Sequence, residues 1–289
     1  MKKLGVSMAA LAILTACGEA GEQQSSTVQL PALSGRTFGA YCQEDYQNNY
    51  QKTLPGTWTL CNRFVDDFDD TDAKSFYWNM HGAKNQFVEG GDAIAGGGLD
   101  TVDHLFFVGH GGAWTASMSS RYAPAISALF GMWDDDQIVG TASMRLGDDS
   151  RQLSIFSAYT CEIHAGGSQP LSTPGQIPGF LYVDRWIPTF RGGLRMSTGT
   201  VEASISGSTY ADVGKRYSNN LQAGQAFSTA WPNALNVAST NDPSLVTTGA
   251  NEVDCLSRMN TMTLANHASM PRLRDSAIGW VCRRYWENI

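Results

Sequence analysis

The sequence predicts an α/β fold in which a mostly parallel sheet is flanked by helices. The first observation is an apolar run, HLFFV at 104–108, with four large apolar residues in succession, as in a strand buried on both faces. The second is a similar run, LSIFSAYTC at 153–161, preceded by a turn-like GDDS at 147–150. Between them lie a stretch with helical character near 121–133 and a short strand candidate near 139–146. Strand, helix and strand in this order are typical of α/β sheets.

Two later segments add a strand and a helix to this predicted fold. The stretch RGGLRMSTGTV at 191–201 predicts a further strand, and 210–230 predicts a helix that ends at Trp231-Pro232. Hydrophobic residues make up 42% of the chain and charged residues 16%, which is enough apolar material for a sizeable core. Because no internal repeat or interdomain linker is present, we expect residues 35–289 to form one domain.

The first residues are typical of a targeting segment. A basic start (KK) is followed by an apolar run at 4–14, which is too short to span a bilayer as a mature helix. The following LTACG at 14–18 resembles a bacterial lipobox, in which the cysteine is lipidated and becomes the first residue of the mature protein. We therefore expect residues 1–16 to be a lipoprotein signal peptide and Cys17 to carry lipid. The alternative is an ordinary signal peptide with a chance cysteine.

The segment after the lipobox predicts the location of the protein. Residues 17–34 are mostly small and polar, and we expect them to form a flexible tether between lipid and domain. In lipoproteins of the Gram-negative type, a residue other than Asp after the lipidated cysteine favours the outer membrane, and Gly18 fits that rule. The sequence thus predicts a lipid-anchored protein of the bacterial cell envelope, at the periplasmic face or the cell surface.

Charge and motif content exclude several classes of ligand. The formal net charge is -7, which is unlike the basic footprint of a nucleic-acid-binding protein. The glycine-rich 89–98 lacks the lysine of a phosphate loop, and the acidic 66–72 lacks the glycine and glutamate of an EF-hand. Cys161 and His164 have the spacing of two metal ligands, but no second pair with zinc-like spacing accompanies them. We predict no cofactor, no metal and no nucleic-acid partner.

The odd number of cysteines predicts one thiol outside the disulfides. An exported protein lives where disulfides persist, and five cysteines remain once Cys17 is assigned to lipid. Two local pairs stand out: Cys42 with Cys61, and Cys255 with Cys282. Each would close a loop of about 20 to 30 residues and stabilise the fold by roughly 3 kcal/mol. This sorting leaves Cys161 free, although sequence alone does not fix connectivity and Cys161 could pair with Cys255 or Cys282 instead.

Two strand candidates end in residues that can perform thiol chemistry. The run at 104–108 leads into His110-Gly111, and the run at 153–161 ends in Cys161. If the two strands are parallel neighbours, both side chains emerge at the same edge of the sheet. A cysteine attacks as thiolate, and a nearby imidazole stabilises that anion or transfers its proton. A glycine after the histidine leaves its backbone N–H uncovered, so Gly111 can donate to a developing oxyanion.

This arrangement resembles the caspase-like cysteine peptidases, which include caspases, gingipains, clostripain and legumain. The resemblance covers roughly residues 101–231, and Cys161 lies 51 residues after His110, close to the caspase spacing of about 50. It implies a three-layer α/β sandwich with a mostly parallel central sheet. It also implies a dyad of Cys161 as nucleophile and His110 as general acid and base, with Gly111 in the oxyanion hole.

The sequence departs from the family pattern at the nucleophile. Caspases carry Gln-Ala-Cys followed by a small or polar residue and Gly, whereas this chain has Tyr159-Thr160-Cys161-Glu162. A glutamate beside the thiol would raise its pKa unless the side chains diverge. A second His-Gly, at His81, is a rival for the catalytic histidine. A serine hydrolase is disfavoured because no Gly-x-Ser-x-Gly pentapeptide occurs.

The sequence therefore predicts a lipid-anchored cysteine endopeptidase that acts on a peptide or protein substrate. The first alternative is a non-catalytic surface protein that keeps the fold and uses its cleft and its aromatic residues, among them eight Trp and ten Tyr, for binding. A further alternative is an envelope hydrolase that uses the same dyad on another bond, such as an amide in peptidoglycan.

Overall fold

The computed structural model describes thirteen segments of the chain: 36–46, 53–68, 73–78, 87–88, 91–92, 98–115, 125–131, 138–148, 153–161, 163–164, 186–201, 211–236 and 242–286. The signal peptide, Cys17, the tether and the rival His81 lie outside these described residues. Within the described segments, no helix has the length and apolar composition needed to cross a bilayer.

A seven-stranded sheet forms the centre of the molecule. Its strands are β1 (Thr37–Cys42), β2 (Ala73–Trp78), β3 (His104–Val108), β7 (Ile155–Tyr159), β8 (Met196–Thr200), β9 (Pro243–Gly249) and β10 (Trp280–Tyr285). Their order is β10-β9-β8-β7-β3-β1-β2. Strand β9 is antiparallel to both of its neighbours, β8 and β10, and the other six strands all run in one direction. The predicted mostly parallel sheet is therefore confirmed.

Helices cover one face of this sheet. They are α1 (Thr57–Asp66), α3 (Val213–Gln222), α4 (Phe227–Leu235) and α5 (Glu252–Thr261). Side chains from all four share a core with alternate strand residues such as Phe106 and Val108 of β3. Because successive strand residues point to opposite faces, the intervening Leu105 and Phe107 belong to a second core.

A smaller sheet and a one-turn helix contribute to the other face. The small antiparallel sheet has the order β4 (Gly111–Thr115), β5 (Ala125–Gly131) and β6 (Ile138–Gly140), and the short helix is α2 (Ile187–Phe190). Phe130, Val139 and Phe190 from these elements enter the second core. The two faces are thus covered differently in the described part of the chain.

The structure corrects the helix predicted near 121–133. Residues 125–131 form strand β5, which pairs with β4 on one side and β6 on the other. Its sequence, AISALFG, has apolar residues at helical spacing and good helix formers. Sheet pairing and the burial of Phe130 override that weak local preference. The strand predicted near 139–146 is limited to β6, which a 3₁₀ turn follows (Thr141–Ser143).

The helix predicted at 210–230 is in fact two helices. The break falls at Gly224, whose φ of 79° lies in the left-handed region that glycine adopts without strain. The second helix, α4, continues beyond Trp231-Pro232 to Leu235, so the predicted end is also wrong. Pro232 lacks a donor, but its carbonyl accepts from the Asn236 backbone N–H, and the buried Trp231 holds this turn against the sheet. The strand predicted within 191–201 is present as β8.

Two cysteine pairs tie helices to the sheet. Cys42, at the end of β1, is bonded to Cys61 of α1, with a Cα–Cα distance of 6.1 Å. Cys255 of α5 is bonded to Cys282 of β10, with a Cα–Cα distance of 6.0 Å. These are the two local pairs that the spacing predicts, and Cys161 belongs to neither disulfide.

Candidate active site

His110 and Cys161 follow two neighbouring parallel strands. In the β3–β7 ladder, His104 pairs with Ile155 and Val108 pairs with Tyr159. The pairing offset equals the spacing of the two candidate residues, so the same register places His110 opposite Cys161 just beyond the carboxyl ends of the strands. Both residues are half-buried and line one cavity. The structure thus brings together the two side chains that the sequence singled out.

His110 is held by its backbone and by an aromatic neighbour. Its N–H donates to the Tyr46 hydroxyl over 2.8 Å, and its carbonyl accepts from the Gly131 N–H over 2.9 Å. The Tyr46 ring lies beside the imidazole, with 5.1 Å between ring centroids. These contacts fix the histidine between β1 and β5, at the edge of the cavity.

Tyr46 is a site residue that the sequence reasoning missed. It is buried, and its hydroxyl donates to the Gln43 carbonyl over 3.3 Å while accepting from His110. Burial raises the pKa of Tyr46, and the nearby Cys161 raises it further, whereas the bond from His110 works in the opposite direction. The hydroxyl therefore stays protonated at physiological pH. The only sequence signal is that Tyr46 follows a strand by four residues, which does not reveal that β1 lies beside β3.

Gly111 occupies a position where no larger residue fits. A Cβ atom there would overlap the Thr160 hydroxyl and would lie 3.0 Å from the Thr160 methyl group and 3.1 Å from Ile163. By contrast, a Cβ atom at Gly112 would meet nothing within 4 Å. The first glycine of the His-Gly-Gly sequence is therefore required by the close approach of the chain that leads into Cys161.

The wall of the cavity comes from α1 and the segment before it. The described lining residues are Leu54, Pro55, Gly56, Thr57, Leu60, Val108, Gly109, His110, Tyr159, Thr160 and Cys161. Together they line a cavity that is open to solvent. Most of the side chains are apolar, and the cavity opens directly onto the two candidate catalytic residues.

Local contacts fix this wall. Gly56, with φ of 91°, starts α1, and the Thr57 hydroxyl donates to the Leu54 carbonyl over 2.7 Å. The Leu54 N–H in turn donates to the Glu44 carbonyl over 2.9 Å. The Cys42–Cys61 disulfide then anchors α1 to β1, so the wall cannot move far from the end of the sheet.

His164 has a structural environment. It is buried, and its Nδ1 lies 2.8 Å from the Ser244 hydroxyl and its Nε2 3.1 Å from the Ser197 hydroxyl. Because hydroxyl groups occupy both ring nitrogens, His164 is not presented to the cavity as a ligand. In the described part of the chain, no group of three potential metal ligands is found.

His104 and His267 are also buried away from the cavity. His104 sits at the start of β3, and its Nε2 lies 2.9 Å from the Ser157 hydroxyl. Burial holds the pKa of His104 well below its ordinary value. Burial likewise lowers the pKa of His267 to about 4, although a bond to the Leu264 carbonyl acts against it. Both are neutral at physiological pH.

Comparison with known families places the chain in a group without an assigned activity. Residues 42–283 match the family described as a domain of unknown function, DUF6345. The chain belongs to this family. The match includes His110, Cys161 and both disulfides, so the candidate site lies within the DUF6345 domain. No curated protein matches the sequence.

Proposed function

We propose that this protein is a caspase-like cysteine endopeptidase that cleaves peptide bonds through a dyad of Cys161 and His110. The observation that carries the proposal is the common cavity, which Cys161 and His110 both line just beyond the carboxyl ends of β3 and β7. Ligand sites in open α/β sheets lie at this edge. Cys161 lies outside both disulfides and lines the same cavity as the His110 imidazole, and a thiol in that position is suited to nucleophilic chemistry.

The reaction proceeds by acyl transfer. His110 takes the proton of the Cys161 thiol, the sulfur forms a bond to the substrate carbonyl carbon, and the carbonyl π electrons move onto oxygen. The C=O bond then re-forms as the C–N bond breaks, and His110 gives that proton to the leaving amine, which leaves a thioester. Water, losing a proton to His110, attacks the thioester; the S–C bond breaks, the sulfur leaves as thiolate and the acid product departs.

The oxyanion donors in this proposal are the backbone N–H groups of Gly111 and Cys161. Gly111 is supported by its position, because it directly follows His110 and packs without a side chain against Thr160. Backbone donors fixed at the ends of two paired strands require little reorganisation as charge develops on the oxygen.

The fold is compatible with the three-layer sandwich that the resemblance implies. The mostly parallel sheet forms the central layer, and α1, α3, α4 and α5 form one outer layer. We assign the small sheet and α2 to the opposite layer, since Phe130 and Phe190 pack there. The proposed location is the bacterial cell envelope, with lipid on Cys17 as the membrane anchor and peptides or proteins as substrates.

The first test is cleavage of an unfolded protein. The full-length protein is incubated with reduced, denatured casein, and new peptides are identified by mass spectrometry. We expect cleavage by the unaltered protein and none by Cys161→Ala or His110→Ala, with Cys161→Ala retaining the circular dichroism of the folded protein. Cleavage that persists in Cys161→Ala, or no cleavage by the unaltered protein, would contradict the proposal and favour a binding protein that retains the cavity.

A further inference from the structure

We infer that the cavity beside Cys161 binds an uncharged, apolar side chain of the substrate residue whose carbonyl is attacked. This inference rests on the proposed function and adds the substrate class to it. The enzyme would then cleave after residues such as leucine and would discriminate against acidic and basic residues at the same position.

The location of the cavity determines which substrate residue enters it. Cys161 and His110 are themselves part of the lining, so the attacked carbonyl lies at the mouth of the cavity. The side chain of the same residue is joined to that carbonyl carbon through a single Cα atom. It is therefore the substrate side chain nearest to the cavity when the carbonyl is held in front of the sulfur.

The described walls of the cavity are apolar. Leu60 and Val108 are each 4% exposed and form its inner part, and Tyr159 is 3% exposed. Leu54 and Pro55 extend this surface toward the opening. Removing an apolar side chain from water against such a surface stabilises the complex by about 0.8 kcal/mol per buried methylene, which is roughly a fourfold gain in binding.

The two threonine hydroxyls of the walls lie against the protein's own backbone. The Thr57 hydroxyl donates to the Leu54 carbonyl, and the Thr160 hydroxyl packs against the backbone of Gly111. No Asp, Glu, Lys or Arg occurs among the described lining residues. The nearby Glu44 is not part of the lining, and its carboxylate accepts the Trp58 backbone N–H over 3.3 Å. A charged substrate side chain would thus lose hydration without meeting an opposite charge.

Peptide chloromethyl ketones that differ only in the residue next to the reactive group test this inference. Three probes carry Leu, Asp or Lys at that position. In each, the Cys161 sulfur forms a bond to the methylene carbon while the C–Cl bond breaks, and chloride leaves with the electron pair. The labelled residue is identified by peptide mapping of the full-length protein, and iodoacetamide is used in parallel as a probe without a side chain.

The unaltered protein is expected to react with the Leu probe at least about 100-fold faster than with the Asp or Lys probe, since an apolar pocket discriminates strongly against an unpaired charge. Equal rates for the three probes, or a faster reaction with a charged probe, would overturn the inference. If Cys161 still reacts rapidly with iodoacetamide, those results overturn only the inferred preference for an apolar side chain and leave the proposed function intact. Failure of Cys161 to react even with iodoacetamide would instead contradict the proposed function.

Placing an acid in the wall provides a second measurement. Leu54 is half-buried, so Leu54→Asp adds a negative charge near the opening without removing a core residue. It should shift the ratio of Lys-probe to Leu-probe rates by at least about tenfold in favour of Lys. Val253→Asp is the matched control, because Val253 is 78% exposed on α5, outside the lining. The same ratio of Lys-probe to Leu-probe rates in both variants would overturn the inference. If Leu54→Asp does not fold, the rates of the three probes with the unaltered protein decide whether the inference holds.

Discussion

Replacing Gly111 by alanine tests how closely the two strand ends approach each other. The new methyl group would overlap the Thr160 hydroxyl and crowd Ile163 at 3.1 Å. Thr160 is only 1% exposed, so its side chain is closely packed and can relieve the overlap only by shifting its neighbours. Overpacking of this kind costs about 1–3 kcal/mol in the free energy of unfolding. For a domain of this size, that corresponds to a fall of roughly 2–12 °C in Tm.

The assay is urea unfolding followed by circular dichroism, supported by Tm measurements. Gly112→Ala is the matched control: it makes the same change one residue along, where nothing lies within 4 Å, and should alter stability by less than about 0.5 kcal/mol. Thr160→Ala removes the two closest of the three crowding atoms, so Gly111→Ala should cost at least about 1 kcal/mol less in that background. Equal stability of Gly111→Ala and Gly112→Ala would show that the strand ends are not in contact and would refute the geometry of the site.

Three further predictions concern two contacts beside the cavity and one buried histidine away from it. Tyr46→Phe removes the hydroxyl that accepts the His110 N–H, so the free energy of unfolding should fall by about 1–3 kcal/mol in urea titrations. Alkylation of Cys161 should also become slower, and an unchanged alkylation rate would contradict a positioning role for the hydroxyl. Replacing both Cys42 and Cys61 by serine removes a cross-link with a sequence separation of 19 and should destabilise the fold by about 3 kcal/mol, measured by calorimetry, whereas an unchanged Tm would count against the bond. Burial lowers the pKa of His267 from 6.5 to about 4, so the unfolded state takes up the proton first as pH falls. The contribution of neutral His267 to the free energy of unfolding should be complete above pH 6.5, and about 3 kcal/mol should be lost by pH 4. His267→Asn should flatten that dependence in urea unfolding at several pH values, and an equally steep dependence in the variant would show that another group is responsible.

The sequence reveals the candidate dyad because its two residues terminate strongly apolar strands. Runs such as 104–108 are typical of a strand buried on both faces, and the end of such a strand places the residues that follow it. The spacing of His110 and Cys161 becomes meaningful only with the observed register, in which the same offset joins every pair of β3 and β7.

The cysteine pairs are similarly accessible from the sequence. The two members of each pair are close in sequence, and the odd number of cysteines places Cys161 outside the disulfides. The structure adds what the bond between Cys42 and Cys61 does: it anchors the helix that forms the cavity wall.

The remaining features depend on contacts between distant segments. Tyr46 and Leu54 reach the site only because β1 lies next to β3, and strand order is not encoded in local pattern. Residues 125–131 have helical spacing, yet pairing with β4 and β6 determines their conformation. Pro232 lies inside α4 because the buried Trp231 outweighs the one hydrogen bond that proline cannot make.

The pH dependence of Cys161 alkylation tests the central claim most directly. Rates of reaction with iodoacetamide are measured for the folded full-length protein and for His110→Ala at graded pH, and the labelled residue is mapped by mass spectrometry. An activated dyad predicts rapid labelling of Cys161 with an apparent pKa well below the ~8.5 of a free thiol, and a return toward that value in His110→Ala. Identical profiles in the two proteins, or a thiol that reacts only after denaturation, would contradict the claim that His110 and Cys161 form a catalytic pair.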